Sequence, residues 1–192
     1  MAKIAIIVGN SLRHSYSEAL GKGYQRGAES GGHQASLFVL GTMNFDAILR
    51  EGYRREQALE PDLAAAREAF VACDHVVFIF PLWCGDMPAI LKGFFERMLQ
   101  PDLLAVQKSG GKMSWKVFKG KSARIIMTMG MPGWFYRWYY GAHALKLLKR
   151  NILGLVGIAP VRSTIYGMIE AVGDERRKQW LREVEALGHE AR

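Results

Sequence analysis

Three stretches of this sequence carry residue types that could do chemistry. The first is Gly9-Asn10-Ser11-Leu12-Arg13-His14-Ser15-Tyr16-Ser17. It joins an apolar run at residues 4–8 to a helical pattern. It offers the hydroxyls of Ser11, Ser15, Tyr16 and Ser17 and the charge of Arg13 where helix amides point outward, and that combination binds phosphate. The plainer reading has Ser15 capping the helix. The second stretch is Pro81-Leu82-Trp83-Cys84-Gly85-Asp86-Met87. Cys84 is either a reactive thiol or a tolerated small side chain. The third is Thr128-Met129-Gly130-Met131-Pro132-Gly133, followed by Trp134-Phe135-Tyr136-Arg137-Trp138-Tyr139-Tyr140, in which all but Arg137 are aromatic. Such density does not fit a core, and it points to a flat ligand or a partner surface. His143 follows within one helical turn, as a structural or a catalytic histidine.

These stretches need elements to hold them. Apolar runs at 3–8, 34–40, 75–80, 122–129 and 161–166 read as strands. Helical patterns cover 15–30, 61–73, 88–99, 142–156 and 174–187, with a further turn of helix near 46–50. In the helix at 61–73, Leu63, Ala66, Phe70 and Val71 form the apolar side. In the helix after Pro88, the apolar face is Ile90, Leu91, Phe94, Phe95, Met98 and Leu99, and Lys92, Glu96 and Arg97 take the other face. Residues 101–120 read as a long glycine- and lysine-rich excursion. Strands alternating with helices predict an α/β, three-layer fold, with a five-stranded parallel sheet of order 2-1-3-4-5 and helices on both faces. No internal boundary is visible, so residues 1–192 read as one domain. In that topology the first, third and fourth strands end on one rim, where the three stretches meet. A phosphate loop beside two loops rich in glycine and aromatics suits a flat, phosphorylated cofactor such as FMN.

Other chemistries are disfavoured. Two cysteines without Cys-x-x-Cys pairs and five scattered histidines predict no metal site. No G-x-G-x-x-G follows the first strand. Gly120-Lys121-Ser122 resembles the end of a P-loop, but Trp115 stands where its first glycine belongs. The apolar runs fall short of a bilayer span, and no signal peptide is evident. A reducing, cytoplasmic setting is expected. The net charge is +8, and residues 101–150 carry ten Lys and Arg against Asp102 alone. Such a surface either attracts an anionic partner or is merely solvated. No nucleic-acid motif accompanies it, so no nucleic-acid partner is expected.

The run from Pro81 to Gly93, Pro-Leu-Trp-Cys-Gly-Asp-Met-Pro-Ala-Ile-Leu-Lys-Gly, resembles the P-L-x-W-x-x-M-P-A-I-L-K-G segment of the flavodoxin-like NAD(P)H:quinone oxidoreductases. Asn44-Phe45-Asp46 with Glu51-Gly52-Tyr53 resembles a second block of that family. Gly120-Lys121 with Thr128-x-Gly130 resembles a third. The resemblance implies a homodimer that binds FMN, or FAD, and takes NAD(P)H as co-substrate. Its chemistry is ping-pong: hydride passes to the flavin, and a quinone or similar acceptor then takes two electrons. By matching position, Ser11, Arg13, Ser15, Tyr16 and Ser17 would hold the flavin phosphate. Pro81, Leu82, Trp83, Cys84 and Gly85 would contact its ring, and Thr128, Gly130 and Met131 its other edge. Tyr136 and His143 would stabilise charge on the reduced flavin, with Tyr139 and Tyr140 as alternatives to Tyr136. Asn10-Ser11 replaces the family's His-Pro opening and is closer to the "G-S-L-R" loop of the related FMN reductases. The chain lacks the C-terminal extension of the larger FAD enzymes, which favours FMN. An FMN, azo or nitro reductase on the same fold is an alternative. So is a flavin-binding regulatory subunit that docks on a membrane protein, and the aromatic run with Lys146, Lys149 and Arg150 raises the prospect of membrane contact. An electron-carrier flavodoxin fits poorly with a pI near 9.6.

Overall fold

Central strands buried on both sides, flanked by two half-buried edge strands, build a parallel sheet in this computed structural model, which describes residues 1–104 and 116–191. The strands are β1 (Lys3–Val8), β2 (Gln34–Val39), β3 (His75–Pro81), β4 (Ser122–Thr128) and β5 (Val161–Tyr166). Their order is β2-β1-β3-β4-β5, and every pairing is parallel. The predicted sheet is therefore present with its predicted order. Alternate residues of each strand feed two cores. Ala5, Ile7, Val76, Phe78, Phe80, Ile125 and Met127 face one side, and Ile4, Ile6, Val8, Val77, Ile79 and Ile126 face the other.

The helices are α1 (Tyr16–Ser30), α2 (Pro61–Ala72), α3 (Ala89–Met98), α4 (Pro101–Leu104), α5 (Gly133–Trp138), α6 (His143–Lys146) and α7 (Asp174–His189). Helices α1 and α7 cover the second core and approach each other backbone to backbone. A Cβ on Gly27 would lie 1.9 Å from the Glu185 carbonyl oxygen, and one on Gly188 would lie 2.2 Å from that of Tyr24. At the base of β3, His75 is buried beside the Ser122 hydroxyl, 2.7 Å from its Nδ1. Burial, helped by Arg124 and Arg162, pushes its pKa down to about 4.

Several local expectations fail for identifiable reasons. Strand β2 stops at Val39, because Leu40 turns into a 3₁₀ segment (Leu40–Thr42). Residues 46–50 form no helix. Val71 is 43% exposed, on the outer side of α2. The single helix expected at 142–156 is α6 followed by π-helical turns, Leu147–Leu153. The excursion at 101–120 opens with α4, while its centre, including Lys108 and Lys112, lies outside the described residues.

The largest correction is Arg97. Expected on the solvent face of α3, it is fully buried. Its guanidinium donates to the Asp46 carbonyl, to the Ala58 carbonyl at 2.7 Å and to both Glu60 carboxylate oxygens, at 3.2 and 3.0 Å. Its Nε has no partner. Gln100, one turn on, exchanges two hydrogen bonds with the Gln57 backbone at 2.7 and 2.8 Å. Phe45 packs edge-on against Phe94. Gly93 sits so close to the Ala47 carbonyl that a Cβ would approach it to 2.3 Å. The irregular segment 43–60 is thus bolted to α3. Helical spacing hid this because a long cationic side chain reads as solvent-facing wherever its partners lie far away in sequence.

Candidate active site

The rim is where β1, β3 and β4 stop together: Val8 pairs with Ile79, and Pro81 with Thr128. Ligands of open α/β sheets bind at this edge. The three chemistry-bearing stretches all leave from it.

The loop after β1 is held by side chains. The Gly9 amide donates to the Ile79 carbonyl at 2.8 Å, and a Cβ there would strike Leu91 of α3 at 2.6 Å. Asn10 is buried, and its Oδ1 accepts the Leu12 amide at 2.9 Å. Gly41 closes from below, since a Cβ would lie 2.6 Å from the Ser11 carbonyl oxygen. Ser15 caps α1 by accepting the Glu18 amide at 3.2 Å, and Glu18 reaches back to the His14 amide at 2.7 Å. This is a variant capping box, foreshadowed by Ser15-x-x-Glu18 in the sequence. Ser17 is buried. Tyr16 donates its hydroxyl to the Arg177 carbonyl of α7 at 2.7 Å, and burial pushes its pKa up to about 12. Of the four candidate hydroxyls, only that of Ser11 belongs to an exposed residue. Arg13 is exposed beside the Gly41 carbonyl. The Tyr16 and Ser17 amides at the head of α1 remain as anion donors, because first-turn amides have no partner within the helix.

The loop after β3 is held by backbone. Trp83 and Asp86 exchange amide–carbonyl hydrogen bonds, both 2.9 Å, and the Leu82 amide donates to the Thr128 carbonyl at 2.8 Å. Between them Cys84 (φ 49) and Gly85 (φ 80) take left-handed conformations, the signature of a type I′ turn. Trp83 and Cys84 are exposed. Pro81 ends the strand, where a missing amide is tolerated.

The loop after β4 crosses to β5. Met129 donates to the Tyr166 carbonyl at 2.9 Å, and the Met131 carbonyl accepts from Met168 at 3.2 Å. Thr128 is buried, Met131 is half-buried, and Gly130 is exposed with open space where a Cβ would stand. Helix α5 then sorts the aromatic run. Tyr136 is buried, and its hydroxyl accepts the Leu145 amide at 3.3 Å. Burial raises the phenol's pKa, and Asp86 of the β3 turn is close enough to add to that rise. Ala142 has no side chain able to cap α6, and the Tyr136 hydroxyl does so instead. The expected catalytic hydroxyl of Tyr136 is therefore engaged inside the protein, while Tyr139, Tyr140 and His143 are exposed.

The parts that Asn10, Gly41 and Leu91 play in holding the first loop escaped the sequence reading, although Asn10 and Leu91 were named in it. Their roles depend on close approaches between distant segments, for which local pattern holds no signal. Among the described residues no group of three His, Cys, Asp or Glu is placed to hold a metal ion.

A family model described as the flavodoxin-like fold matches residues 2–187. The chain belongs to this Flavodoxin_2 family. A curated relative, an uncharacterised NAD(P)H oxidoreductase of Haemophilus influenzae, is 25% identical over 173 residues, which is 88% of this chain and 84% of that protein. Further curated relatives of this flavodoxin-like chain are matched over only 16% to 59% of their own length. Among solved structures, the NAD(P)H:quinone oxidoreductase of Methanothermobacter marburgensis superposes with a TM-score of 0.78 at 24% identity, covering 98% of this chain and 94% of that one. An FMN-dependent NADH-azoreductase of Bacillus anthracis, solved with FMN, gives 0.68 at 17% identity over 99% of both chains. At these identities the two structures speak to fold alone.

Proposed function

We propose that this flavodoxin-like protein is a flavin-dependent NAD(P)H oxidoreductase that reduces quinones or similar acceptors by two electrons. The observation that carries the reading is the convergence at one rim of a helix head with free amides, a backbone turn and an open glycine. These features fit FMN. The Tyr16 and Ser17 amides, with Ser11 and Arg13 beside them, would hold its phosphate. The left-handed turn at Cys84-Gly85 would offer backbone groups to its ring, with Trp83 alongside, and no side chain at Gly130 would obstruct it. When bound, the flavin supplies the hydride and electron chemistry.

The chain's own residues orient and stabilise. Thr128 and Met131 border the site. His143 is the group we assign to stabilising negative charge there, with Tyr139 and Tyr140 as neighbouring phenols. Tyr136 is a positioning residue: by capping α6 it fixes the helix that His143 begins. Ser15 and Ser17 shape the phosphate loop, which Tyr16 tethers to α7. We further propose a cytoplasmic homodimer, with α3 bordering the partner.

Purification tests this directly. The protein should be yellow, with a band at about 450 nm that bleaches with NADPH and returns on adding a quinone. A colourless protein that takes up neither FMN nor FAD overturns the reading.

A further inference from the structure

Helix α5 turns its side chains two ways. Tyr136 faces inward, while Trp134 and Trp138, four residues apart, are 68% and 80% exposed, and Tyr139 is 66% exposed. Half-buried Phe135 joins three of the exposed rings: Trp134 meets it edge-on at 5.8 Å, Tyr139 stacks on it at 5.0 Å, and Tyr140 meets Phe135 and Tyr139 edge-on at 5.7 and 5.1 Å. Large aromatic rings left in water mark a surface meant to be covered.

Charge says what covers it. The sequence has no Asp or Glu between Asp102 and Glu170. Arg137 on α5, Lys146 on α6, and Lys149 and Arg150 in the π-helical turns that follow are all exposed. A small soluble anion would use the cations but leave the indoles unexplained. An apolar partner would use the indoles but leave the missing acids unexplained. A second copy meeting this patch face to face would bring like charges together. The headgroup layer of an anionic bilayer accepts both groups, since Trp and Tyr settle at the interface while Lys and Arg meet lipid phosphates.

We propose that the α5 face is an interfacial anchor that seats the protein on anionic membrane surfaces. Because α5 follows directly from the β4 rim loop, the candidate active site opens close to the lipid. The anchor does not depend on the flavin reading, and binding can be measured with no redox assay.

The test is flotation of the intact chain with phosphatidylcholine vesicles, with and without about 30% phosphatidylglycerol. The expected result is co-flotation with the anionic vesicles, several-fold weaker on neutral ones and weaker again in about 0.5 M salt. The double substitution Trp134→Ser and Trp138→Ser should lower binding about ten-fold with an unchanged thermal melt. Lys149→Glu with Arg150→Glu should abolish the preference for anionic lipid. Equal flotation on both vesicle types, or unchanged binding by the tryptophan variant, overturns the proposal. So does a change in that variant's oligomeric mass, which would make the face a chain–chain contact.

Discussion

Residues 43–60 and the rim loops are both irregular, yet they are built on opposite plans. The first is a long connection without a helix or strand, fixed by a fully buried arginine, two glutamines and a close glycine approach. The second set is short and anchored at its roots, and it leaves Ser11, Trp83, Cys84, Gly130 and His143 exposed. Irregular backbone is therefore no measure of softness in this protein. What matters is whether the polar groups of a segment are answered by buried partners.

The contrast can be broken most forcefully at Arg97. Replacing Arg97 with Met removes the donors to two carbonyls and to Glu60, and should cost about 3–5 kcal/mol in urea unfolding. Flavin content per folded molecule should not change. A loss near zero would mean that the Gln57–Gln100 pair, Phe45 and Gly93 hold the segment without it. The same bolt should respond to acid. Burial pushes the Glu60 carboxyl up, but Arg97 and the Asp46 amide more than offset this, so its folded pKa lies below the usual 4.5. Its contribution is thus complete above that value and is lost as pH falls through the lower folded pKa. The wild-type protein should lose stability across that acid window, and Glu60→Gln should flatten the loss.

At the rim the pattern should reverse. His143→Ala should lower turnover about ten- to a hundred-fold while leaving the melting temperature and flavin affinity in place; equal turnover would make the histidine structural. Tyr136→Phe sits between the two regimes. Loss of the hydroxyl leaves the Leu145 amide without its acceptor, at about 1–2 kcal/mol, and turnover should fall only through the displaced α6. The smallest effect belongs to the β3 turn. Cys84→Gly relieves a left-handed φ and should raise stability by about 0.5–1 kcal/mol. A loss of stability would show that the Cys84 side chain makes a contact worth more than the strain.

Much of the sheet was legible because β1 and β3 are near-continuous apolar runs and the other strands are short, β-branched or apolar segments between helical patterns. The limits of β1 and β5 agree with the sequence reading to the residue. The meeting of the three loops followed from strand order. What could not be read were the pairings across distance. Nothing near Arg97 announces Glu60, and nothing near Tyr136 announces the uncapped head of α6. Six aromatics in seven residues correctly announced exposure, yet the one buried member was the tyrosine singled out for chemistry. Helical rotation turns Tyr136 inward and its neighbours out, and a density argument cannot see that rotation.

The backbone contact between α1 and α7 has a consequence for how the chain is made. The face of the sheet beneath α1 is closed by Trp180, Val184 and the Gly188 approach to Tyr24, all supplied by the last helix. During synthesis the other face can assemble on α2 and α3 while translation continues. The α1 face is only partly closed, by Leu20, Tyr24 and Ala28, until α7 has left the ribosome. A nascent chain stalled before α7 therefore leaves Tyr166 of β5 without its stacked Trp180 and the Tyr24–Gly27 side of α1 uncovered, and chaperones would meet the protein there.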